Sequence, residues 1–213
     1  MPGIEVLHLD SEILVLNKPA GLLSVPGRGP DKQECAVSRA REMFADLPEQ
    51  PAVHRLDMDT SGLLILARTR EAHRFLSREF AARRVHKRYE AILAGRIAGR
   101  EGMIELPLRL DLYDRPRQVY DPIHGKPAST RWRKLAERDG RTRIEFFPLT
   151  GRTHQLRVHA AHPLGLGCPI VGDRLYGNRA PGERMLLHAA ELCFKHLTSG
   201  QYFSVSSPAP FQL

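Results

Sequence analysis

Residues 53–67 read VHRLDMDTSGLLILA and set two aspartates, Asp57 and Asp59, one residue apart behind His-Arg and ahead of Thr-Ser-Gly. Carboxylates in that pattern support four readings: a metal site, an acid/base pair, one nucleophile beside a bystander, or two solvated turn residues. DMDTS matches the D-x-D-x-[TS] pattern of Mg²⁺-dependent phosphohydrolases, whose chemistry needs an apolar lead-in so that only carboxylates meet the ion. Here the lead-in is His54-Arg55-Leu56, and a guanidinium beside the site opposes a divalent cation. The second acidic cluster such an enzyme needs shrinks to Asp173 in GDRLYG. As an acid/base pair on a continuing strand, the two carboxylates would share a face at roughly 6.6–6.8 Å. Side chains projecting in parallel from one strand do not flank a scissile bond. Asp59 therefore reads as a turn or capping aspartate.

Asp57 differs through what can meet it. Arg55 lies two residues away on the same expected strand face, and TGRTHQLRVH supplies Arg152 and Arg157. A neighbouring arginine favours the ionised form of a carboxylate. A carboxylate held charged in a basic cleft is a candidate nucleophile toward a sugar or a base.

The elements that must position these groups follow from periodicity. IEVLHL and EILVLN read as short strands, followed by a Gly/Pro-dense loop, NKPAGLLSVPGRGP. Residues 33–45 read as a helix, PAVHRLD as a strand, TSG as a turn and LLILAR as a strand buried on both faces. REAHRFLSREFAARR reads as a helix with Ala72, Phe75, Leu76 and Phe80 on its apolar side; Arg70, Arg74 and Arg78 recur at spacing four as one basic stripe. KRYEAILAG, GMIELPL, RQVYD, ASTRWRKLAE, TRIEFFPL, MLLHAAELCF and YFSV are further strand candidates. TGRTHQLRVHAAHP reads as helical, with Thr153 as N-cap and Pro163 as stop. Strands outnumber helices and often follow one another directly, which favours an α+β fold over a βαβ repeat. With no linker or repeat, residues 1–213 are expected to form one compact domain.

Composition narrows the partner. The 213 residues are 42% hydrophobic and 26% charged, ordinary values for a globular chain, with net charge +8. Between Arg68 and Arg100 ten Lys/Arg face three acids, which leaves +7 on that stretch alone. Such concentration is the footprint of a polyanion binder. Cys35, Cys168 and Cys193 form no CxxC pair and suit a reducing cytoplasm. No apolar run approaches the ~20 residues that span a bilayer. His154, His159 and His162 do not share one helical face, so they read as structural or RNA-contacting rather than as metal ligands.

HRLD followed by TSG, with NKPAGLLSVPG, GKPAST, GRTHQLRVH and LLHA in this order, resembles the RluA family of pseudouridine synthases from about residue 5 to residue 206. The resemblance implies the pseudouridine synthase fold: a mixed, largely antiparallel bent sheet flanked by helices, with an active-site cleft across it. It also implies isomerisation of uridine in structured RNA, without metal or organic cofactor. Asp57 matches the family's invariant aspartate, whose attack on the sugar, attack on the base or abstraction of a ribose proton stay open. Tyr89 in KRYEAI matches the active-site tyrosine, able to stack on an extruded uracil and assist proton removal; taken alone it is a sheet-core aromatic. Arg157 matches the arginine that pairs with the aspartate. Arg55 is expected to fill the place of the flipped-out nucleotide, offsetting a cost of a few kcal/mol. Arg152 reads as a phosphate or loop contact. Leu187 matches an apolar wall of the base pocket, and alone is a core leucine. Lys18 reads as a brace of the NKP loop rather than a reactive group. Many relatives carry an N-terminal S4-type RNA-binding module, which is not expected here. Substrate choice then falls to the catalytic domain, through Arg74, Arg78 and RWRKLAER. The expected partner is a stem-loop of large-subunit ribosomal RNA, transfer RNA or both, bound by a cytoplasmic monomer. The alternative is a non-catalytic RNA-binding or ribosome-assembly factor on the same fold.

Overall fold

The computed structural model describes residues 4–178, 180 and 182–213. In chain order its elements begin with β1 (Glu5–Leu9), β2 (Ile13–Lys18), a 3₁₀ turn (Pro30–Lys32), α1 (Ala36–Met43), β3 (Ser61–Ala67) and α2 (Arg70–Ala81). Strands β4 (His86–Leu93), β5 (Glu101–Glu105), β6 (Leu108–Leu110), β7 (Gln118–Tyr120), β8 (Ser129–Arg138) and β9 (Arg141–Pro148) follow. The chain ends with α3 (Gln155–Ala161), β10 (Leu187–Lys195) and β11 (Tyr202–Ser206). This is an α+β chain with three α-helices among the described residues. It divides into two compact units, residues up to His86 with Ala189–Pro208, and Lys87–His188 with Ala209–Leu213.

In the first unit β1, β2 and β3 pair antiparallel in sequence, and β10 pairs antiparallel with β11. All seven residues of β3 are buried, because both of its faces are covered. Leu64 and Leu66, with Leu14 and Leu16 of β2, pack on Ala36, Val37 and Ala40 of α1. The alternate residues, Leu63, Ile65, Ile13 and Val15, pack with Ala72 and Leu76 of α2. Each buried aliphatic side chain contributes roughly 1.5–3 kcal/mol. Gly62 has φ 111°, and a Cβ there would lie 2.3 Å from the carbonyl oxygen of Ala189, so only glycine lets β3 start so close to that backbone.

Helix ends are set by side chains. Thr69 Oγ1 accepts from the amide of Ala72 at 3.0 Å and starts α2. Cys35 Sγ accepts from Ser38 N while Ser38 Oγ accepts from Cys35 N, a capping box that starts α1 three residues later than the expected helix.

In the second unit β4 pairs β9, β9 pairs β8 and β8 pairs β5, all antiparallel; β6 and β7 form a separate hairpin. Its core joins Ala91, Leu93, Ile104, Trp132, Ile144 and Phe146 to Leu156, Val158 and Ala160 of α3. The expected N-cap at Thr153 is not found. His154 is the N-cap residue, in left-handed conformation at φ 53° and without a side-chain cap. The side chain of Gln155 ties this helix start instead. Its Oε1 accepts from Arg152 N and Thr150 Oγ1, and its Nε2 donates to Ser129 O and Thr130 Oγ1, all within 3.1 Å. Pro163 follows the C-cap His162, where α3 ends as expected.

Candidate active site

The segment PAVHRLD is a loop, not a strand; only Ala52 bridges to Leu66. The reason is a side chain. Leu56 is buried, its amide donates to Ser24 Oγ at 2.9 Å, and its carbonyl accepts from the same hydroxyl at 2.8 Å. Both backbone groups that a strand would use are thus occupied by one serine. The carbonyl of Asp57 then accepts from Thr60 N at 3.1 Å, so DMDT closes as a turn that feeds β3. Consequently the shared strand face expected for Arg55 and Asp57 does not exist, nor does the strand spacing of the two aspartates. Asp59 is 8% exposed in this turn, while Asp57 is half-buried and Arg55 exposed.

A buried cation braces the turn. Lys18 is 0% exposed, and its Nζ donates to Pro19 O at 2.9 Å, Leu22 O at 2.7 Å and Met58 O at 3.1 Å. Gly21 N also donates to Met58 O at 2.9 Å. The NKPAGL loop and the DMDT turn are therefore knitted together through the carbonyl between the two aspartates, the bracing role expected of Lys18. Burial pushes the ammonium down to about 8 from 10.5, against the opposing pull of Asp57 and then Asp59. His54 completes the support: its Nε2 accepts from Ile65 N at 2.9 Å, and its ring stacks on Phe80 at 4.7 Å.

On α2, Arg70, Arg74 and Arg78 are exposed as expected of the basic stripe, with Arg74 paired to Glu71 at 3.0 Å. The run 68–100 carries less available charge than its composition suggests. Arg84 pairs with Glu79, Arg88 with Glu90 and Glu145, Arg96 with Glu137 and Arg68 with Asp46.

The second unit holds the other candidates. Tyr89 on β4 is half-buried, lies opposite Phe146 of β9 and packs against the core cluster that contains Leu187. Leu187, at the first position of β10, is 2% exposed. Arg152 Nε donates to Pro127 O at 3.0 Å, a bond to the GKP loop. Arg157 on α3 is gripped by a residue that sequence reasoning weighed only as a metal ligand. Its Nε donates to Asp173 Oδ2 at 2.8 Å and its Nη2 to Asp173 Oδ1 at 2.7 Å, with the two side chains 3% and 0% exposed. Burial acts to raise the Asp173 carboxyl, but the Arg157 bonds and charge and the amides of Leu175 and Tyr176 outweigh it and hold it below the usual range.

Ser24, Gln155, Asp173 and Tyr176 are the supporting residues that the sequence did not reveal. Each acts across a separation no local pattern records, Ser24 on a residue 32 positions away.

Comparison with known proteins adds three findings. A family model described as RNA pseudouridylate synthase matches residues 12–162. The dual-specificity RNA pseudouridine synthase RluA of Pasteurella multocida (strain Pm70) is 41% identical over 214 residues, covering 99% of this chain and 95% of its own. That of Yersinia pestis is 42% identical over 210 residues, covering 97% and 99%. Among solved structures, human RNA Pseudouridylate Synthase Domain Containing 1 superposes with TM-score 0.78 at 30% identity, covering 100% of this chain and 87% of that one.

Proposed function

The chain belongs to the RNA pseudouridylate synthase family, and we propose that it modifies uridines in both large-subunit ribosomal RNA and transfer RNA, with Asp57 as the catalytic carboxylate. The activity itself, RNA pseudouridine synthesis, is that of an isomerase. The dual substrate range rests on relatives over 40% identical across nearly the whole chain whose names carry that specificity.

The reaction breaks the bond from ribose C1′ to uracil N1 and forms one from C1′ to C5. C5 loses a proton and N1 gains one, so no electrons enter or leave, and acid/base side chains with solvent suffice. In this reading the uridine is first drawn out of its stack at a cost of a few kcal/mol. Arg55, exposed on the loop two residues before Asp57, occupies the vacated place with a planar donor group. Asp57 acts on the extruded nucleotide, and Tyr89 offers it an aromatic face with a hydroxyl for the C5 proton. Leu187 supplies an apolar wall, Arg157 orients as a hydrogen-bond donor, and Arg152, Arg74 and Arg78 meet phosphates. The enzyme works as a monomer in the cytoplasm.

The observation that carries the reading is the fixation of Asp57. Its turn is held by Lys18, Gly21 and Ser24 rather than left as a solvated loop, which is the preorganisation a reacting group needs. The test is Asp57→Asn, assayed by tritium release from RNA carrying 5-tritiated uridine. Product formation is expected to vanish while RNA binding persists. Retained turnover removes Asp57 from the chemistry, and pseudouridine mapping of ribosomal and transfer RNA from a strain lacking the protein decides the substrate range.

A further inference from the structure

The structure assigns Asp173 as the positioning residue for Arg157, fixing the plane of the guanidinium so that one defined nitrogen, Nη1, serves an acceptor other than Asp173. This rests on the reading of Arg157 as a residue of the reaction and goes beyond it by naming what holds it.

The grip is side-on. Asp173 takes Nε and Nη2 on its two oxygens, at 2.8 and 2.7 Å. Two parallel bonds between planar groups set both direction and tilt, as a single bond cannot. Asp173 is itself fixed. Its Oδ1 accepts from the amides of Leu175 at 2.9 Å and Tyr176 at 3.1 Å. The preceding Gly172 has φ 75°, and a Cβ there would lie 2.1 Å from Arg184 O, so the turn that delivers the carboxylate admits no other residue.

Tyr176 supplies the second wall. Its ring stands 5.2 Å from the Arg157 guanidinium carbon, within cation–π reach. The phenol oxygen accepts from Gln118 N at 2.7 Å and lies 2.8 Å from His154 Nδ1, which pins the ring to β7 and to the start of α3. GDRLYG is thus a holder with an edge contact and a face contact, both aimed at one arginine. The pair is electrically neutral as a whole, so what it presents is orientation rather than net charge.

The test uses the full chain, bulk RNA carrying 5-tritiated uridine from cells lacking the enzyme, and separate determination of kcat and KM. Asp173→Asn is expected to lower kcat by about 100-fold, the effect of misplacing a group by about 1 Å, with KM changed by less than about threefold. In an Arg157→Lys background the same Asp173→Asn change is expected to cost less than about threefold, because the geometry it protects is already gone. A purely structural Asp173 would lower activity equally in both backgrounds, and that result overturns the proposal. Arg157→Lys alone keeps the ion pair but not the two-point grip, so it decides the matter even where Asp173→Asn does not fold. Loss of at least about 30-fold in kcat is expected; wild-type kcat overturns the proposal. Arg157→Met separates the premise. If it abolishes turnover while Asp173→Asn keeps wild-type kcat, positioning is wrong and the role of Arg157 stands. If Arg157→Met is fully active, the role of Arg157 falls and the proposal falls with it.

Discussion

Replacing Lys18 by methionine separates folding from function at the centre of the proposed site. The side chain keeps its length and apolar stem, but three carbonyls lose a charged donor. Met58 O retains Gly21 N, so the main loss falls on Pro19 O and Leu22 O. At about 1.5–3 kcal/mol for each bond to a charged group, two of them represent roughly 3–6 kcal/mol. Removing the charge returns part of this. The fall of the ammonium from 10.5 to about 8 corresponds to a net penalty on the charged form, burial less the attraction of the two aspartates, of about 3 kcal/mol at 1.36 kcal/mol per tenfold. The balance is a destabilisation of roughly 0–3 kcal/mol, small enough for the variant to fold, and urea unfolding at pH 7 measures it. Activity should suffer far more. The carbonyl between the two aspartates loses one of its two donors and the loop that carries the other is loosened at Pro19 and Leu22, and displacement of a reacting group by about 1 Å costs about 100-fold. The wild-type rate should also fall as pH rises through about 8, where Lys18 loses its proton, and this limb should be absent from the residual activity of Lys18→Met. Full activity in the variant, or the same alkaline limb in both proteins, refutes the reasoning.

Asp59→Asn removes one of the two negative charges that raise Lys18, so the alkaline limb should move to lower pH while tritium release at pH 6.5 changes little; an unmoved limb separates Asp59 from Lys18. His159 is buried, and burial holds its imidazole down to about 4 from 6.5. The folded state therefore binds fewer protons than the unfolded state between these values, and its contribution is intact above 6.5 and lost as pH falls toward 4. His159→Leu should reduce the drop in unfolding free energy from pH 7 to pH 4.5 by about 2–3 kcal/mol, and an identical drop in both proteins contradicts this. Arg74→Gln with Arg78→Gln should flatten the slope of log affinity against log salt by about 1.4–1.8, the release expected for two phosphate contacts; an unchanged slope places α2 outside the RNA interface.

Where a residue's partners are local, the sequence was legible. The apolar positions Ala72 and Leu76 identify the buried face of α2, and β2 and β3 fall where uninterrupted aliphatic runs put them. Boundaries failed where an unusual local group intervened. Cys35 caps α1 through sulfur, which no cap preference signals, and α2 stops at Ala81 because Arg83 takes φ 60° shortly after. The site was legible as a set of residue types but not as geometry. HRLD alternates like a strand, yet the groups that would have made its ladder are taken by Ser24. That Asp173 takes Nε and Nη2 of Arg157 depends on a turn at Gly172, which no local pattern around Arg157 records.

These contacts answer why two aspartates stand one residue apart. A lysine buried to 0% exposure is a costly way to hold a loop, and the negative charges of Asp57 and Asp59 oppose the loss of its proton. One carboxylate cannot both compensate that ammonium and change its own charge or form a bond during a reaction without loosening the brace at each turnover. Asp57 exerts the larger of the two attractions, and Asp59, buried in the turn, adds the second, so the ammonium keeps part of its compensation whatever happens at Asp57. In the proposed reaction Asp57, half-buried, is the carboxylate that meets the nucleotide. The spacing therefore keeps two negative charges close to one buried cation. In the second unit a buried charge is likewise balanced by a neighbour, Asp173 pairing with Arg157 at 2.7 Å.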